Sequence, residues 1–253
     1  MREERAVFAS PSQNARAMTE DWARHSLFCP SCSSESLSAF PANRPVADLF
    51  CEKCEEEFEL KSQSRPFGRK VVDGAYGTMV ERLQAANNPS LILLHYHRQD
   101  AIVENVLLIP KFHFSLRAIE KRKPLAPTAR RAGWVGCNIL LDQIPGVGKI
   151  PIMTDGKFAP SEIVRRTWQS TAFLKDAGAD SRGWLLATMQ CVEQVRGKEF
   201  SLSEIYEHEA QLGALFPENN NIRPKLRQQL QVMRDRGLLE FLGKGRYRKR
   251  LLS

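Results

Sequence analysis

The sequence predicts a mixed α/β domain built around a four-cysteine metal site, residues 1–180, followed by a smaller unit of three helices and a hairpin, residues 181–253. Three observations lead there. Two Cys-x-x-Cys pairs, at 29–32 and 51–54, stand eighteen residues apart between strand-like segments. Helical and alternating apolar patterns interleave as far as residue 110. Towards the C-terminus come a capping box, an amphipathic basic segment ending in glycine, and a glycine-turned hairpin. A chain of 253 residues is long enough for two ordinary domains. Its 42% hydrophobic and 26% charged content excludes wholesale disorder.

Taken in order, residues 12–24 read as a helix opening at Ser12, with Glu20 either solvated or an accessory metal ligand. Segments 45–50 and 56–61 read as strands, with CEKC (51–54) in the turn between them. A helix over 74–86 precedes strands near 91–97 and 102–110. His95 and His97 fit a half-buried strand better than a metal pair. PGVGK (145–149) has the glycines of a phosphate loop, but no Ser or Thr follows Lys149 and the spacing fails, so it reads as a turn. DAGADSRG (176–183) reads as a less ordered joint before a helix over 182–195. No apolar run approaches the roughly 18 residues of a membrane span, and MREERAVFAS lacks the apolar core of a signal peptide. The expected location is the cytoplasm, and the expected state a monomer. A net charge of +8 points to a polyanionic partner.

In a reducing compartment, paired cysteines hold metal more readily than they form disulfides. Cys29, Cys32, Cys51 and Cys54 have the spacing of a four-thiolate zinc site, two knuckles each aiming two sulfurs at one point. With every position filled by sulfur, none is open to water, so the zinc is read as structural. Cys137 and Cys191 are left as small apolar residues of the interior.

The second knuckle lies inside RPVADLFCEKCEEEFELKS (44–62). Glu59 and Lys61, two apart, share one face of their strand. If the hairpin closes about Lys53 and Cys54, Asp48 falls opposite Glu59 and points the same way. Two carboxylates and an ammonium then converge, an arrangement that divalent-metal nucleases use to cut phosphodiesters. Mg2+ would take oxygens from Asp48, Glu59 and the Leu60 carbonyl, with Lys61 steadying or deprotonating the attacking water. The competing reading is a solvated acidic strand face. A zinc knuckle at the hairpin tip favours the first, because register decides whether Asp48 and Glu59 face each other.

The motif resembles the PD-(D/E)xK nucleases, and the wider chain resembles the methyl-directed restriction endonucleases of the DpnI type. The matching stretches are TEDW (19–22), NRPVAD (43–48), EEFELK (56–61), DGAY (73–76), KPLAPTARRAGWVGCNI (123–139), SRGW (181–184) and LRQQLQVMRD (226–235). The resemblance implies an enzyme that cuts double-stranded DNA at GATC only when the adenine carries an N6-methyl group, using Mg2+. It also implies a nuclease domain followed by a winged-helix domain. Ala47, and not proline, precedes Asp48 here; proline supplies no chemistry to the motif. Segments 98–113 and 143–175 match less well.

Residues 121–134 set basic side chains around prolines and end in an aromatic, a loop able to lie along DNA. Lys121, Arg122, Arg130 and Arg131 would meet phosphates or base edges. Trp134 is either a core residue or, given the family likeness, part of a methyl-sensing surface. In the C-terminal unit SLSE (201–204) caps a second helix, residues 221–237 form a third, and the hairpin turns at 243–245. That is the winged-helix order. The third helix would present Arg223, Lys225, Arg227 and Gln228 to a major groove, with Lys244, Arg246 and Arg248 of the wing reaching the backbone. The alternative for the whole chain is a non-catalytic zinc-ribbon and winged-helix DNA-binding regulator.

Overall fold

The structure, a computed structural model, describes residues 10–40, 47–85 and 87–250. Helix α1 (Pro11–Ser26) begins on a proline whose fixed φ suits a first helical turn. Strands β1 (Ser38–Ala39), β2 (Leu49–Phe50) and β3 (Glu57–Gln63) follow. Residues 45 and 46, where the first hairpin strand was expected to begin, lie outside the described residues. Leu49 pairs with Phe58 and Phe50 with Glu57, so the hairpin closes about Lys53 and Cys54, as the sequence predicts.

Strand β4 (Lys70–Ala75), helix α2 (Tyr76–Gln84), and strands β5 (Ser90–His97) and β6 (Ile102–Ile109) come next. A small sheet orders β4 beside β8 (Gly136–Leu140) beside β7 (Ile119–Lys121). Among the described residues the main sheet runs β1-β2-β3-β5-β6-β9-β10, adding β9 (Ile150–Thr154) and β10 (Lys157–Phe158), with only β3 and β5 parallel. Strand β5, SLILLHYH, is central and buried on both faces, and its near-continuous apolar run shows why. Ile92 and Leu94 join the larger core, while Leu91 and Leu93 join a second core shared with Val71, Ile119 and Ile139 of the small sheet. Glu59 pairs with Leu91 and Lys61 with Leu93, whereas Phe58 and Leu60 belong to the larger core. Alternation therefore turns both charged side chains towards the small sheet.

After α3 (Ser161–Thr171), helix α4 (Ala179–Gln194) leads into the C-terminal unit. Strand β11 (Glu199–Ser201), helices α5 (Leu202–Tyr206), α6 (Glu209–Leu215) and α7 (Ile222–Asp235), and hairpin β12 (Leu239–Gly243) to β13 (Arg246–Lys249) complete it. The Ser201 side chain and Glu204 form the expected capping box. Three expectations need correction. The second helix is two short ones, breaking at residues 207–208. A third strand, β11, pairs with β13. The stretch 176–183 is not a loose joint, because α4 already begins at Ala179 with Asp180 favourably placed at its positive end. Six successive residues of α4, Trp184 to Met189, are buried, so it is enclosed on all sides and lacks the amphipathic period that marks a helix start.

The larger core is continuous from Ala23 and Phe58 through Trp168 and Trp184 to Tyr247. Among the described residues no helix is long and apolar enough to cross a membrane.

Candidate functional site

The four knuckle sulfurs converge. Those of Cys29, Cys32, Cys51 and Cys54 all lie within 4.8 Å of one another. Cys29 and Cys54 are 3.6 Å apart, and Cys32 and Cys51 3.5 Å. Sulfurs held about 2.3 Å from a tetrahedral zinc ion stand about 3.8 Å from each other, so the cluster fits structural zinc. Burial pushes the Cys51 thiol up, but the backbone N–H groups of Cys54 and Lys53 and the neighbouring thiols outweigh it and bring the thiol down to about 7. From α3, Arg165 donates to the Cys29 carbonyl (3.2 Å) and the Ser34 carbonyl (3.0 Å), and Gln169 to the Ser31 carbonyl (3.0 Å). The first knuckle is thereby tied to the body of the domain.

On either side of the second knuckle, Asp48, Glu59, Leu60 and Lys61 line one cleft with Arg16, Lys70 and Tyr96. The Leu60 N–H donates to Asp48 Oδ2 at 2.8 Å, bringing that carboxylate to the edge of β3. Asp48 Oδ1 receives Arg16 Nη2 at 2.8 Å, and Arg16 Nε also donates to Glu20. Glu20 thus belongs to an ion pair on α1. Lys61 Nζ lies 2.7 Å from Glu59 Oε1 and 2.8 Å from Asp73 Oδ1. Burial holds the Glu59 carboxyl above its ordinary range, with Asp73 and Asp48 adding to the effect and Lys61 opposing it. Burial would lower the Lys61 ammonium, but Glu59 and Asp73 outweigh it and hold the pKa above its usual value.

Arg16 and Asp73 escaped sequence reading. Asp73 left a signal: β4 alternates, with Val71 and Asp73 inward and Val72 62% exposed, so a carboxylate occupies a core position. Arg16 left none, since its role depends on how α1 crosses the sheet. The histidines form no metal pair: His95 lies against Glu104 (3.3 Å) and His97 against Asp100 (2.8 Å). In the turn at PGVGK, the N–H groups of Gly146 and Val147 are taken by Glu193 (2.8 and 3.3 Å).

The basic loop is closed at its base, where Leu125 N–H donates to the Trp134 carbonyl (2.9 Å) and Gly133 N–H to the Leu125 carbonyl (3.1 Å). Lys121, Arg122, Arg130 and Arg131 are exposed on it. Trp134 is half-buried, with the Arg131 guanidinium 4.6 Å from its ring. On α7, Arg223, Arg227 and Gln228 line a groove with Arg234, Tyr206, Phe241 and Tyr247; Arg234 and the three aromatics were not anticipated. Lys225 is half-buried, bonds Gln228 Oε1 (2.9 Å), and lies off the groove lining. In the wing Lys244 is exposed at the turn. Arg246 and Arg248, expected to reach the DNA backbone, are paired with Glu199 (3.1 and 2.7 Å), and Arg248 also with Glu240 (3.1 Å). Alternation about the buried Tyr247 puts both on the outer sheet face, where Glu199 pairs across the strand.

The family model described as the Dam-replacing family, DpnI, matches residues 3–177. A second, the Dam-replacing HTH domain, matches residues 180–249.

Proposed function

Since the chain belongs to the DpnI, Dam-replacing, family and carries its HTH domain, we propose that it hydrolyses double-stranded DNA at GATC sites bearing N6-methyladenine, with Mg2+ as cofactor. The observation that carries this reading is the lining of one cleft by Asp48, Glu59 and Lys61 on a hairpin whose tip is a four-cysteine cluster.

The donor set suits a hard cation. Asp48 and Glu59 offer carboxylate oxygens, and a strand residue sends its N–H and C=O to the same edge, so the Leu60 carbonyl faces the Asp48 side. Burial that disfavours a charged Glu59 is relieved by a neighbouring cation. A Mg2+ ion held by Asp48, Glu59 and the Leu60 carbonyl would supply positive charge to the scissile phosphate and lower the pKa of the attacking water. Lys61 donates hydrogen bonds to that water or to a phosphate oxygen and orients it for attack at phosphorus. As the water oxygen bonds to phosphorus it gives up a proton to solvent; the P–O bond to the leaving oxygen breaks, and that oxygen takes up a proton from solvent. Zinc in the cysteine cluster fixes the hairpin register and so keeps Asp48 and Glu59 on one face.

Groups for binding DNA lie on both units: the loop of Lys121, Arg122, Arg130, Arg131 and Trp134, and the α7 groove of Arg223, Arg227 and Gln228 with Lys244 beside it. Methyl dependence needs more than methyl burial. One methyl contributes about 0.8 kcal/mol, and the two of a symmetric site about fifteenfold in affinity. Aromatic contact at Trp134 and a second reader in the HTH unit supply the remainder.

The test is digestion of plasmid DNA from adenine-methylating and non-methylating hosts, with and without Mg2+. Cleavage of methylated DNA alone, dependent on Mg2+ and lost in Asp48→Ala while DNA binding persists, supports the enzyme. Binding without cleavage by the native protein supports a DNA-binding regulator instead.

A further inference from the structure

Behind the cleft, lining an adjoining cavity with Glu59, lies a third carboxylate to which the proposed reaction gives no part. Asp73 is 8% exposed. Its Oδ1 takes Lys61 Nζ at 2.8 Å and the Gly74 N–H at 2.7 Å, while Oδ2 is buried with no hydrogen-bond partner. Its position is set by the backbone. The β4–β8 register shifts between Asp73 and Ala75, leaving Gly74 as the extra residue of a bulge. A bulge re-aims the adjoining side chain, and here the freed Gly74 N–H donates back to the carboxylate. An acceptor left open in a buried, otherwise fixed carboxylate stands ready for a donor that arrives.

The donor within reach is Lys61, now shared with Glu59 Oε1 at 2.7 Å. If Glu59 gives its oxygens to a divalent cation, the ammonium loses an acceptor and meets a positive neighbour. On its four-carbon stem it would swing out to solvent unless something else held it. We propose that Asp73 is a positioning residue that keeps the Lys61 ammonium in the cleft once Glu59 is committed to the cation, its open Oδ2 accepting the N–H that Glu59 releases. The inference rests on the nuclease reading above. Asp73 is not assigned to the metal itself, because Lys61 stands between it and Glu59, and among the described residues the acidic side chains of the cleft and cavity form no three-ligand cluster.

Asp73→Asn keeps the shape and removes the charge, and it is tested in the full zinc-loaded chain. The expected variant melts close to the native protein and binds Ca2+, a non-catalytic stand-in, with nearly native affinity by calorimetry. Its single-turnover cleavage at saturating Mg2+ falls on the order of 10²-fold, the loss that a misplaced group causes. Asp73→Glu, which restores the charge, recovers part of that rate. A native rate in Asp73→Asn overturns the proposal, and so does a loss of Ca2+ binding as deep as that of Asp48→Ala, which would make Asp73 a ligand. Should the variant fail to fold, a crystal structure of the native protein with Ca2+ decides. Lys61 on both Asp73 oxygens and off Glu59 supports the proposal; Lys61 in solvent or still on Glu59 overturns it. A native protein inert on methylated DNA removes the nuclease reading and this inference together, whereas an active native protein matched by Asp73→Asn removes this inference alone.

Discussion

His113 shows how much a single side chain can be shaped by what surrounds it. Its Nε2 meets Thr171 Oγ1 at 2.9 Å, its Nδ1 has no partner, and burial holds it down to about 3. Gly148 is required beside it, since a Cβ there would stand 2.4 Å from Nδ1. The folded protein therefore carries His113 neutral, while the unfolded chain takes up a proton near pH 6.5. Between those values the unfolded state binds more protons, so stability falls as pH drops through 6.5 towards 3. Urea unfolding at pH 7 and pH 5 should show the native protein losing about 2 kcal/mol more than His113→Gln. Equal losses would mean the histidine is protonated in place. A second expectation is that Gly148→Ala destabilises by about 1–3 kcal/mol, as overpacking does. Neither feature was legible beforehand, because a lone histidine and a lone glycine 35 residues apart carry no pattern that joins them. That Asp48, Glu59 and Lys61 would line one cleft was legible, because all three sit within one hairpin where alternation and one turn fix every relation. Asp73 could have been read from the same alternation, but its contact with Lys61 joins two different sheets.

The β2–β3 hairpin is the element on which the site depends. Strand β2 is only two residues long, too short to hold a register by pairing alone, and the four-sulfur cluster closes its tip. Chelation of zinc should therefore abolish cleavage and reduce amide-exchange protection in Glu57–Gln63, while the hydrogen bonds of α7 stay protected. Activity that survives complete zinc removal with the fold intact would separate the knuckle from the proposed catalytic strand. The basic loop has a comparable dependence at Gly136, where a Cβ would come within 2.8 Å of the Trp134 ring. Gly136→Ala should displace Trp134 and weaken cleavage of methylated DNA, with only a small loss of melting temperature, because Gly136 is a buried residue of β8 but the ring it would meet is half-buried and free to shift. Strands of apolar alternation and the capping box announced themselves in the sequence. The small sheet did not, since β7 has three residues and its partner β8 follows a proline-rich loop. Short strands are specified by neighbours more than by their own residues.

At the scale of the molecule, two family models meet at residues 177–180, yet the larger buried core crosses that line without a break. Helix α4 carries the crossing: Trp184 stacks on Phe216 at 3.9 Å, and Glu193 holds the Gly146 and Val147 amides. Shared burial of this kind makes the two units unfold together, so calorimetry should give one transition, coincident with fluorescence and circular dichroism; two resolved transitions would show the units to be independent. The order of the units was readable from local patterns, but their fusion was not, because it is made by residues far apart in the chain. DNA affinity also belongs to the whole molecule, through its net charge of +8, and should fall steeply with salt as phosphate contacts release counterions. The contributions differ by residue. Arg227 faces the α7 groove and has no ion pair among the described residues, so Arg227→Ala should reduce the slope of log K against log salt by about 1. Arg248 is already neutralised by Glu199 and Glu240 across the wing, so Arg248→Ala should leave that slope nearly unchanged. The reverse ranking would place the DNA on the outer face of the wing and away from the groove.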